Sequence, residues 1–543
     1  MGNAPDGQAR RVQRTLVMIS GGEPQSFAAK PLQEGAADTR STHAKPVFNA
    51  ALVYFDQQGL PQPFLAAALP ELGTDTWTLL PDGRMETIYR LKPNLAWHDG
   101  QPLTPEDFAF AWQVYATTDF GVSESAGFRS IEEVAAPDLL TVRIRWKETY
   151  QAAGQVYLEL PPLPRHILEQ SYLDRRAAMD FISLPFWTFE YVGAGPWKLD
   201  RREPGAFFEG SAFDRFVFGP PRIDRIRVIY QPDSNTAVAT LLSGEAHYSV
   251  EALLHGEEGA TLEAGWAANK AGVVLWGTDI PKGQEIQMRP EFAMPTQLAT
   301  DVRVRQALAF AIDRVTLTDV VTAGRGLLRE IFTHPHAPYY DQVLSAVPTR
   351  YSYDPRRAEQ LLQEAGFIRG AEGWLTPGGS RFTLEQWYLS GATNERDSAI
   401  LIDSFRRFGI EASSNEWGIQ RTSQEERAKT SGLFGGNIGV LPDKYHTRNV
   451  ARPENRWTGS NRFGFSSPEM DRIVDAYATS LDRAERIQRI AQMERLAMEQ
   501  LPAIPTYWTA VVVAHAASLK GVVQNLVPEA GDERLMWTWE WQS

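Results

Sequence analysis

The sequence contains no cysteine, which excludes disulfide bonds, thiolate metal sites and cysteine nucleophiles. It also lacks the run of about eighteen apolar residues that a membrane-spanning helix needs. Its most apolar short stretch, residues 510–517, already includes His515. Basic residues are fewer than acidic ones, 54 against 67, and no Lys/Arg-rich tract is present. A formal net charge of −13 therefore makes nucleic acid a poor partner.

Motifs for common catalytic sites are also missing. The chain has no Gly-x4-Gly-Lys phosphate loop, no Gly-x-Ser-x-Gly nucleophile elbow and no His-Glu-x-x-His metal helix. The nine histidines are scattered singly except His334 and His336, which flank a proline and are interpreted as structural. The segment His98-Asp99-Gly100 is interpreted as a tight turn rather than a catalytic dyad. We therefore predict no catalytic centre, no metal site and no cofactor.

What is present is an ordinary globular composition, 43% hydrophobic and 22% charged over 543 residues, which is too long for one hydrophobic core. Strand and helix patterns alternate along it. Residues 15–20 read as a buried strand, and residues 140–146 alternate apolar and polar side chains as a half-buried strand does. Residues 256–260 and 432–461 are expected to be loops. Helices are predicted to begin after four N-cap residues, namely Thr104, Asp301, Asp354 and Ser467.

One segment is specific enough to suggest a family. Residues 89–107, with the sequence Y-R-L-K-P-N-L-A-W-H-D-G-Q-P-L-T-P-E-D, resemble the signature segment of solute-binding protein family 5. Members of that family are receptors for oligopeptides, dipeptides, nickel chelates and some oligosaccharides. Further segments similar to family motifs follow in the expected order, at residues 161–168, 192–199, 241–245, 301–314, 353–362 and 501–507. The resemblance thus covers nearly the whole chain.

The resemblance implies an α/β fold of the two-lobed periplasmic-binding-protein type. It corresponds to type II, in the large class with an extra subdomain in lobe one and a hinge between the lobes. By motif order, the core of lobe one would combine residues 1–46, 190–275 and 500–543, its subdomain would be residues 47–189, and lobe two would be residues 276–499. We expect a monomer.

The same resemblance implies an extracytoplasmic solute-binding protein of an ATP-binding cassette importer, and not an enzyme. Such a receptor closes two lobes on a peptide-like or other oligomeric solute and delivers it to the permease transmembrane subunits. Residues 1–6 show no secretory signal, which we interpret as a signal already removed from a periplasmic or extracellular protein, free or lipid-anchored. Three alternatives stay open: an oligosaccharide receptor, a ligand sensor without transport, and an enzyme on this scaffold.

Ligand-binding residues are suggested by position within the family pattern. In peptide-binding members a tryptophan follows an acidic residue on the second lobe, so Trp417 is the first candidate. Downstream, the family often has an Asp followed by Tyr, and the Asp pairs with the peptide ammonium. The corresponding residues here are Asp443, Lys444 and Tyr445, with lysine in the place of the acid. We therefore expect a cation there to repel a free peptide N-terminus.

Three other aromatic residues are candidate ligand contacts. They are Tyr248, which follows the segment at 241–245, Trp276 near the expected crossover, and Phe128 in the subdomain. Large aromatic side chains are commonly buried for stability alone. Core packing is therefore an equal alternative for each.

Overall fold

The computed structural model describes residues 15–32, 44–120, 126–250, 253–418, 420–439, 441–523 and 532–542. Residues 1–6, considered above for a signal, lie outside these ranges. The chain forms two compact units, unit 1 with residues 1–276 and 512–543, and unit 2 with residues 277–511. Both contain strands and helices, which confirms the predicted α/β class. The finer division of the first lobe into core and subdomain stays a prediction.

Two long strands run from one unit into the other along the chain, β12 (Gly272–Ile286) and β19 (Ala503–Ala516). The other strands of unit 1 are β1 (Thr15–Ser20), β2 (Val53–Phe55), β3 (Pro61–Pro63), β4 (Trp77–Leu79), β5 (Met85–Arg90), β6 (Ile131–Asp138), β7 (Thr141–Trp146), β8 (Trp197–Glu203), β9 (Phe207–Ala212), β10 (Arg225–Tyr230), β11 (Tyr248–Ser249), β20 (Leu519–Lys520) and β21 (Glu540–Trp541). Those of unit 2 are β13 (Leu327–Leu328), β14 (Ile368–Gly370), β15 (Gly373–Leu375), β16 (Thr383–Leu389), β17 (Glu411–Trp417) and β18 (Leu433–Asn437).

The helices cover the sheets of both units. Unit 1 contains α1 (Ala44–Phe48), α2 (Pro105–Tyr115), α3 (Ala126–Ser130), α4 (Arg165–Asp174), α5 (Ala178–Ile182), α6 (Ser234–Ser243) and α7 (Gly256–Trp266). Unit 2 contains α8 (Gln297–Thr300), α9 (Val302–Ala311), α10 (Arg314–Thr322), α11 (Tyr340–Ala346), α12 (Pro355–Glu364), α13 (Ala392–Phe408), α14 (Gln424–Ala428), α15 (Pro468–Thr479) and α16 (Arg483–Gln500). Of the helices that the structure describes, none has the length and apolar character needed to cross a membrane.

Unit 1 has two main sheets. In the first, the order is β8-β9-β10-β1-β11, and β1 pairs in parallel with both β10 and β11. The second is the antiparallel sheet β4-β5-β7-β6. Val142, Ile144 and Trp146 of β7 are fully buried, which confirms the alternation predicted for this strand. Leu140 was also predicted on this face, but it lies just before the strand and is 47% exposed. The buried apolar face therefore begins at Val142.

Unit 2 is organised around the strand order β17-β16-β18-β12. The β16 strand pairs in parallel with β17 and β18, whereas β12 is antiparallel to β18. Helix α13 packs against β16, β17 and β18. Its buried residues Leu401 and Phe405 belong to the apolar core of the unit. One face of this sheet is therefore covered by a helix of the same unit.

The predicted helix starts are confirmed, and each has a side chain that accepts a main-chain N–H. Asp301, Asp354 and Ser467 accept hydrogen bonds from amides two or three positions later. At the fourth start, the Asp107 carboxylate accepts from the main-chain amide of Thr104 at 2.8 Å. Because the first amides of a helix have no partner within it, such caps determine where a helix begins.

Two expected loops are wrong. Residues 256–260 form the first turn of α7, where the Glu258 carboxylate accepts the main-chain N–H of His255 at 3.1 Å. Glu257 and Glu258 both lie in this first turn, where acids are favoured. The long stretch 432–461 contains β18 in its first residues. A five-residue strand with two glycines has little signal in the sequence.

The start of β18 depends on a glycine, which gives a first prediction. Gly432 has φ +70°, and an added Cβ would collide with the carbonyl oxygen of Glu385. We expect Gly432→Ala to lower the free energy of unfolding by about 2 kcal/mol or more, because strain and collision add. Gly436→Ala in the same strand meets only Leu389, at 4.0 Å, and is the control. Chemical denaturation measures the unfolding free energy of both variants, and equal values would contradict the conformational requirement for glycine at position 432.

Candidate functional site

The register of the unit 2 sheet aligns side chains from neighbouring strands. Glu285 of β12 pairs with Phe434 of β18, and Phe434 pairs with Trp387 of β16. Trp417 of β17 pairs with Leu389, which is two residues beyond Trp387 and therefore on the same face. This face thus carries an acid and a set of large apolar side chains, and α13 packs on the opposite face.

The aromatic side chains on this face form a continuous group, here called the aromatic patch: Trp387, Trp417, Phe434 and Phe463. Ring centroids are separated by 6.1 Å between Trp387 and Trp417. The separation is 6.3 Å between Trp417 and Phe434, and 5.5 Å between Phe434 and Phe463. Aromatic groups of this kind supply large, rigid contact areas for apolar parts of a ligand.

Trp417, the first candidate from the sequence, lies in the middle of the patch and is 5% exposed. Its indole N–H donates to the main-chain oxygen of Arg421 at 2.9 Å, which fixes the orientation of the ring. Its own main-chain oxygen accepts the N–H of Ser390 at 3.2 Å. Because the polar edge of Trp417 is already hydrogen-bonded, any contact with a ligand would involve its ring.

Three arginines lie beside the aromatic patch and are here called the arginine group: Arg421, Arg427 and Arg462. The guanidinium of Arg421 is 5.3 Å from the Trp417 ring centre, and that of Arg427 is 4.6 Å from the Phe434 ring centre. Arg462 donates to the side-chain oxygen of Gln424 at 2.9 Å. Within the described part of the chain, none of the three forms an ion pair with a carboxylate.

Two members of the arginine group, Arg427 and Arg462, are partly buried. Burial, and next the charge of Arg462, lower the pKa of Arg427 to about 10. Burial also lowers the pKa of Arg462, and the charge of Glu285 opposes this. The Nε atom of Arg427 is buried and has no hydrogen-bond partner among the described residues. Cations that form no ion pair in such a position favour an anionic ligand group.

Lys444 points to an acid of the same face. Its Nζ lies 2.8 Å from Glu285 Oε1, and both side chains are 13% exposed. The positive charge that the sequence placed here is therefore balanced within unit 2. Repulsion of a peptide ammonium, which was expected from an isolated lysine, does not follow from this pair.

The residues on either side of Lys444 have structural contacts. The Asp443 carboxylate accepts from the Asn449 amide at 3.0 Å and from Arg448 at 3.3 Å, which holds the segment together. Tyr445 is 2% exposed, and its ring packs 5.7 Å from that of Phe465. Its hydroxyl is buried with no hydrogen-bond partner in the described residues. A ligand role for Asp443 and Tyr445 stays a prediction.

Two candidates of unit 1 have their polar atoms engaged within the unit. Tyr248 is fully buried, and its hydroxyl donates to the Glu533 carboxylate at 3.2 Å. Trp276 donates its indole N–H to the Glu263 carboxylate at 2.7 Å. Packing explains the position of both, so ligand contact stays a prediction for each.

Phe128, the third candidate of unit 1, lies under a cation. The Nζ of Lys30 is 3.7 Å from the Phe128 ring centre and 4.9 Å from that of Tyr115. The same ammonium donates to the main-chain oxygen of Glu159 at 3.1 Å. Phe128 is 4% exposed and takes part in this cation–π contact, and its ligand role also stays a prediction.

An open cavity of about 530 Å³ lies at the β16–β17 edge of unit 2. Its charged lining includes Arg381, which pairs with Glu372 at 3.5 Å and with Glu411 at 3.3 Å. Arg406, also in the lining, donates to the main-chain oxygen of Ala412 at 2.9 Å. Because these guanidinium groups already have partners, we assign the candidate site to the aromatic patch and the arginine group.

The sequence indicated only part of this site. Trp417 and Lys444 were identified from their positions in a family pattern. Trp387, Phe434 and the arginine group were missed, because they come together only through strand register and loop packing. The alternation in β16 was a usable signal for Trp387, but no local signal places Glu285 beside Lys444.

Comparison with known proteins gives a family and a fold. The family described as bacterial extracellular solute-binding proteins, family 5 Middle, matches residues 68–445. Among curated relatives, the oligopeptide-binding protein AppA of Bacillus subtilis is 23% identical over 523 residues. That match covers 93% of this chain and 88% of AppA.

Solved structures agree over nearly the whole chain. The oligopeptide-binding protein of Thermus thermophilus, complexed with a pentapeptide, has a TM-score of 0.77 at 20% identity and covers 97% of this chain and 96% of its own. NikZ of Campylobacter jejuni, in complex with Ni(L-His), has a TM-score of 0.76 at 18% identity, with coverages of 97% and 99%. These likenesses confirm the predicted periplasmic-binding-protein fold.

The Lys444–Glu285 pair gives a second prediction. Lys444→Met would leave the poorly solvated Glu285 carboxylate without its ion-pair partner, so we expect a loss of about 1–3 kcal/mol in unfolding free energy. Adding Glu285→Gln should restore much of that loss. The control is Arg407→Met, which breaks an exposed pair with Asp403 and should cost less than about 0.5 kcal/mol. If Lys444→Met costs no more than the control, the pair is not important for unit 2.

Proposed function

The chain belongs to the bacterial extracellular solute-binding proteins of family 5, and from this we propose that it captures a peptide-like solute for an ATP-binding cassette importer. Members of this family are binding proteins, so the protein is not an enzyme. The sequence resemblance to the family is confirmed. Delivery to the permease transmembrane subunits is part of the proposal.

The place of action follows at the level of the family. Its members are extracellular, so the protein works outside the cytoplasmic membrane. A lipid anchor and a monomeric state are finer proposals. Membrane fractionation and light scattering, respectively, would test them.

One observation supports the ligand class most directly: the arginine group lies beside the aromatic patch and forms no ion pair with a carboxylate within the described residues, although the charge of Glu285 acts on Arg427 and Arg462. Guanidinium groups form strong charge-assisted hydrogen bonds with carboxylates, and aromatic rings cover apolar side chains. A peptide with a free C-terminus carries both kinds of group. We therefore propose that the patch receives an apolar side chain and the arginine group a carboxylate.

The charge balance at Lys444 removes the main sequence argument against peptides. That argument required an isolated cation in the place of the ammonium-binding acid. With Glu285 at 2.8 Å, the pair presents nearly balanced charge to a ligand. The oligosaccharide alternative loses the support that it drew from Lys444, and AppA is named for oligopeptide binding. Peptide-like solutes are thus the favoured class.

The first functional prediction concerns ligand class. In a thermal-shift screen, we expect peptides of two to six residues with a free C-terminus to raise the melting temperature, because a ligand of the folded state stabilises it by mass action. C-terminally amidated versions of the same peptides should give clearly smaller shifts. Cello- and xylo-oligosaccharides and nickel chelates are the comparison ligands. A shift with saccharides alone would contradict the proposal.

The second functional prediction concerns the residues. We expect Arg427→Gln to weaken binding of a free-carboxylate pentapeptide about 10-fold or more, the value of one charge-assisted hydrogen bond. Trp417→Ala should weaken it as well, and Arg407→Gln on the exposed surface of α13 is the control. Isothermal titration calorimetry measures all four proteins. The effect of Arg427→Gln should nearly vanish with the amidated pentapeptide, and an undiminished effect would show that Arg427 does not bind the carboxylate.

A further inference from the structure

The face of the unit 2 sheet opposite the aromatic patch contains a buried polar cluster, here called the inner polar cluster. Its members are all less than 10% exposed: Lys282 and Gln284 of β12, Gln386 of β16, and Asp397 and Ser398 of α13. Gln386 donates to Gln284 Oε1 at 3.0 Å and accepts from the Ser398 hydroxyl. Polar side chains are rare in such a position unless they are hydrogen-bonded or have a function.

A glycine makes room for this cluster. Gly435 of β18 lies between the two glutamines in the sheet, pairing with Gln284 on one side. An added Cβ at Gly435 would lie 2.7 Å from Gln386 Nε2 and 2.8 Å from Gln284 Nε2. The amides can therefore meet across β18 only because this residue has no side chain. The cluster is a built feature of the sheet.

The two charged members have too few partners for their burial. Lys282 is 8% exposed, and its ammonium donates to Asn394 Oδ1 at 3.1 Å. Asp397 is 4% exposed, and its Oδ1 is buried with no hydrogen-bond partner among the described residues. Burying a charge without a partner is costly, so such groups change protonation or form a pair.

The ionisation of both groups responds to this environment. Burial raises the pKa of Asp397 to about 7, and the charge of Lys282 opposes the rise. Burial lowers the pKa of Lys282, and the charge of Asp397 opposes that change. From β19, the hydroxyl of Tyr507 is buried, and burial followed by the charge of Asp397 raises its pKa. The other nearby polar groups, the Gln386 amide of β16 and the Ser398 hydroxyl of α13, carry no charge.

We propose that Lys282 and Asp397 form a proton-linked pair inside unit 2, through which solution pH adjusts the strands that carry the aromatic patch. Near neutral pH Asp397 changes between a carboxylate and a neutral acid, in the neighbourhood of the Lys282 ammonium. The existence of the pair is independent of the proposed function. Its effect on ligand affinity rests on that function.

Hydrogen bonds connect the inner polar cluster to the backbone of the candidate site. The Gln386 amide that binds Gln284 also donates to the main-chain oxygen of Trp387 at 2.9 Å. Asn394, the partner of Lys282, donates to the main-chain oxygen of Leu389 at 3.0 Å. A rearrangement around Lys282 therefore acts on β16 at the two residues that face the patch. No larger movement is needed for the coupling.

The sign of the pH effect follows from the raised pKa of Asp397. Between pH 3.8, which equals the ordinary carboxyl pKa, and about pH 7, the Asp397 carboxyl keeps a proton in the folded state that it releases in the unfolded state. The stabilisation from this group is therefore greatest at low pH and is lost as pH rises through that window. Above about pH 7 the loss is complete and the contribution is constant.

The test compares unfolding of the wild-type protein, Asp397→Asn and Asp403→Asn, the last being an exposed aspartate of the same helix. Melting temperatures are measured from pH 4.5 to 8. The difference between Asp397→Asn and wild type should change in favour of the variant by several degrees as pH rises, whereas Asp403→Asn should follow wild type. If the melting temperatures of all three proteins change with pH in parallel, the proposal of a proton-linked pair is wrong.

A second variant keeps the test decisive if Asp397→Asn does not fold. Lys282→Met removes the charge that opposes protonation of Asp397, so the midpoint of the pH-dependent loss should move to higher pH. A purely structural role of Lys282 would lower stability equally at every pH and would contradict the proposal.

Measurements of ligand affinity test the part of the proposal that depends on the proposed function. The dissociation constant of a free-carboxylate pentapeptide should change roughly threefold or more between pH 5.5 and 8 in wild type and Asp403→Asn, and much less in Asp397→Asn. Equal pH dependence in all three would show that the pair is not coupled to the site. Absence of any pentapeptide binding would count against the proposed function, and the unfolding curves would still decide on the pair.

Discussion

Strand register is the constraint on which the site in unit 2 depends. Because side chains alternate along a strand, a shift of one residue in β12 or β16 would exchange the two faces of the sheet. Gln284 and Gln386 would then replace Glu285 and Trp387 beside Phe434. The same two strands thus place a hydrogen-bonded polar cluster under α13 and an aromatic surface on the opposite side. Gly435, which admits the two glutamines, belongs to this arrangement as much as the aromatic residues do.

The arginines of unit 2 differ in how their charge is compensated. Arg314 is 4% exposed and donates to three main-chain oxygens, those of Arg329, Pro505 and Tyr351. Its charge is compensated by fixed dipoles, and it ties together distant segments. Arg427 is less buried, and its Nε, like that of Arg314, has no partner in the described residues. Its guanidinium differs in donating to no main-chain oxygen of those residues. Charged groups without hydrogen-bond partners beside an apolar surface are typical of ligand-binding sites, because stability alone would favour their removal.

The sequence predicted the features that depend on interactions between residues close together in the chain. Caps at Asp301 and Asp354 depend on residues a few positions apart, so the helices that follow them were found. The alternation in residues 140–146 is equally local. The family pattern suggested Trp417 as a ligand contact, which stays a prediction. Contacts such as Lys444 with Glu285 depend on the register of β12, which no local pattern reveals. At residues 256–260 a loop was predicted, because the role of the two adjacent acids in the first turn of a helix was overlooked.

The central claim is that the aromatic patch and the arginine group receive a peptide-like solute. A crystal structure of the protein with a bound pentapeptide that has a free C-terminus tests it most directly. We expect the terminal carboxylate within hydrogen-bond distance of Arg421, Arg427 or Arg462, and a peptide side chain against Trp387 or Trp417. A pentapeptide bound without contact to any of these residues would contradict the claim.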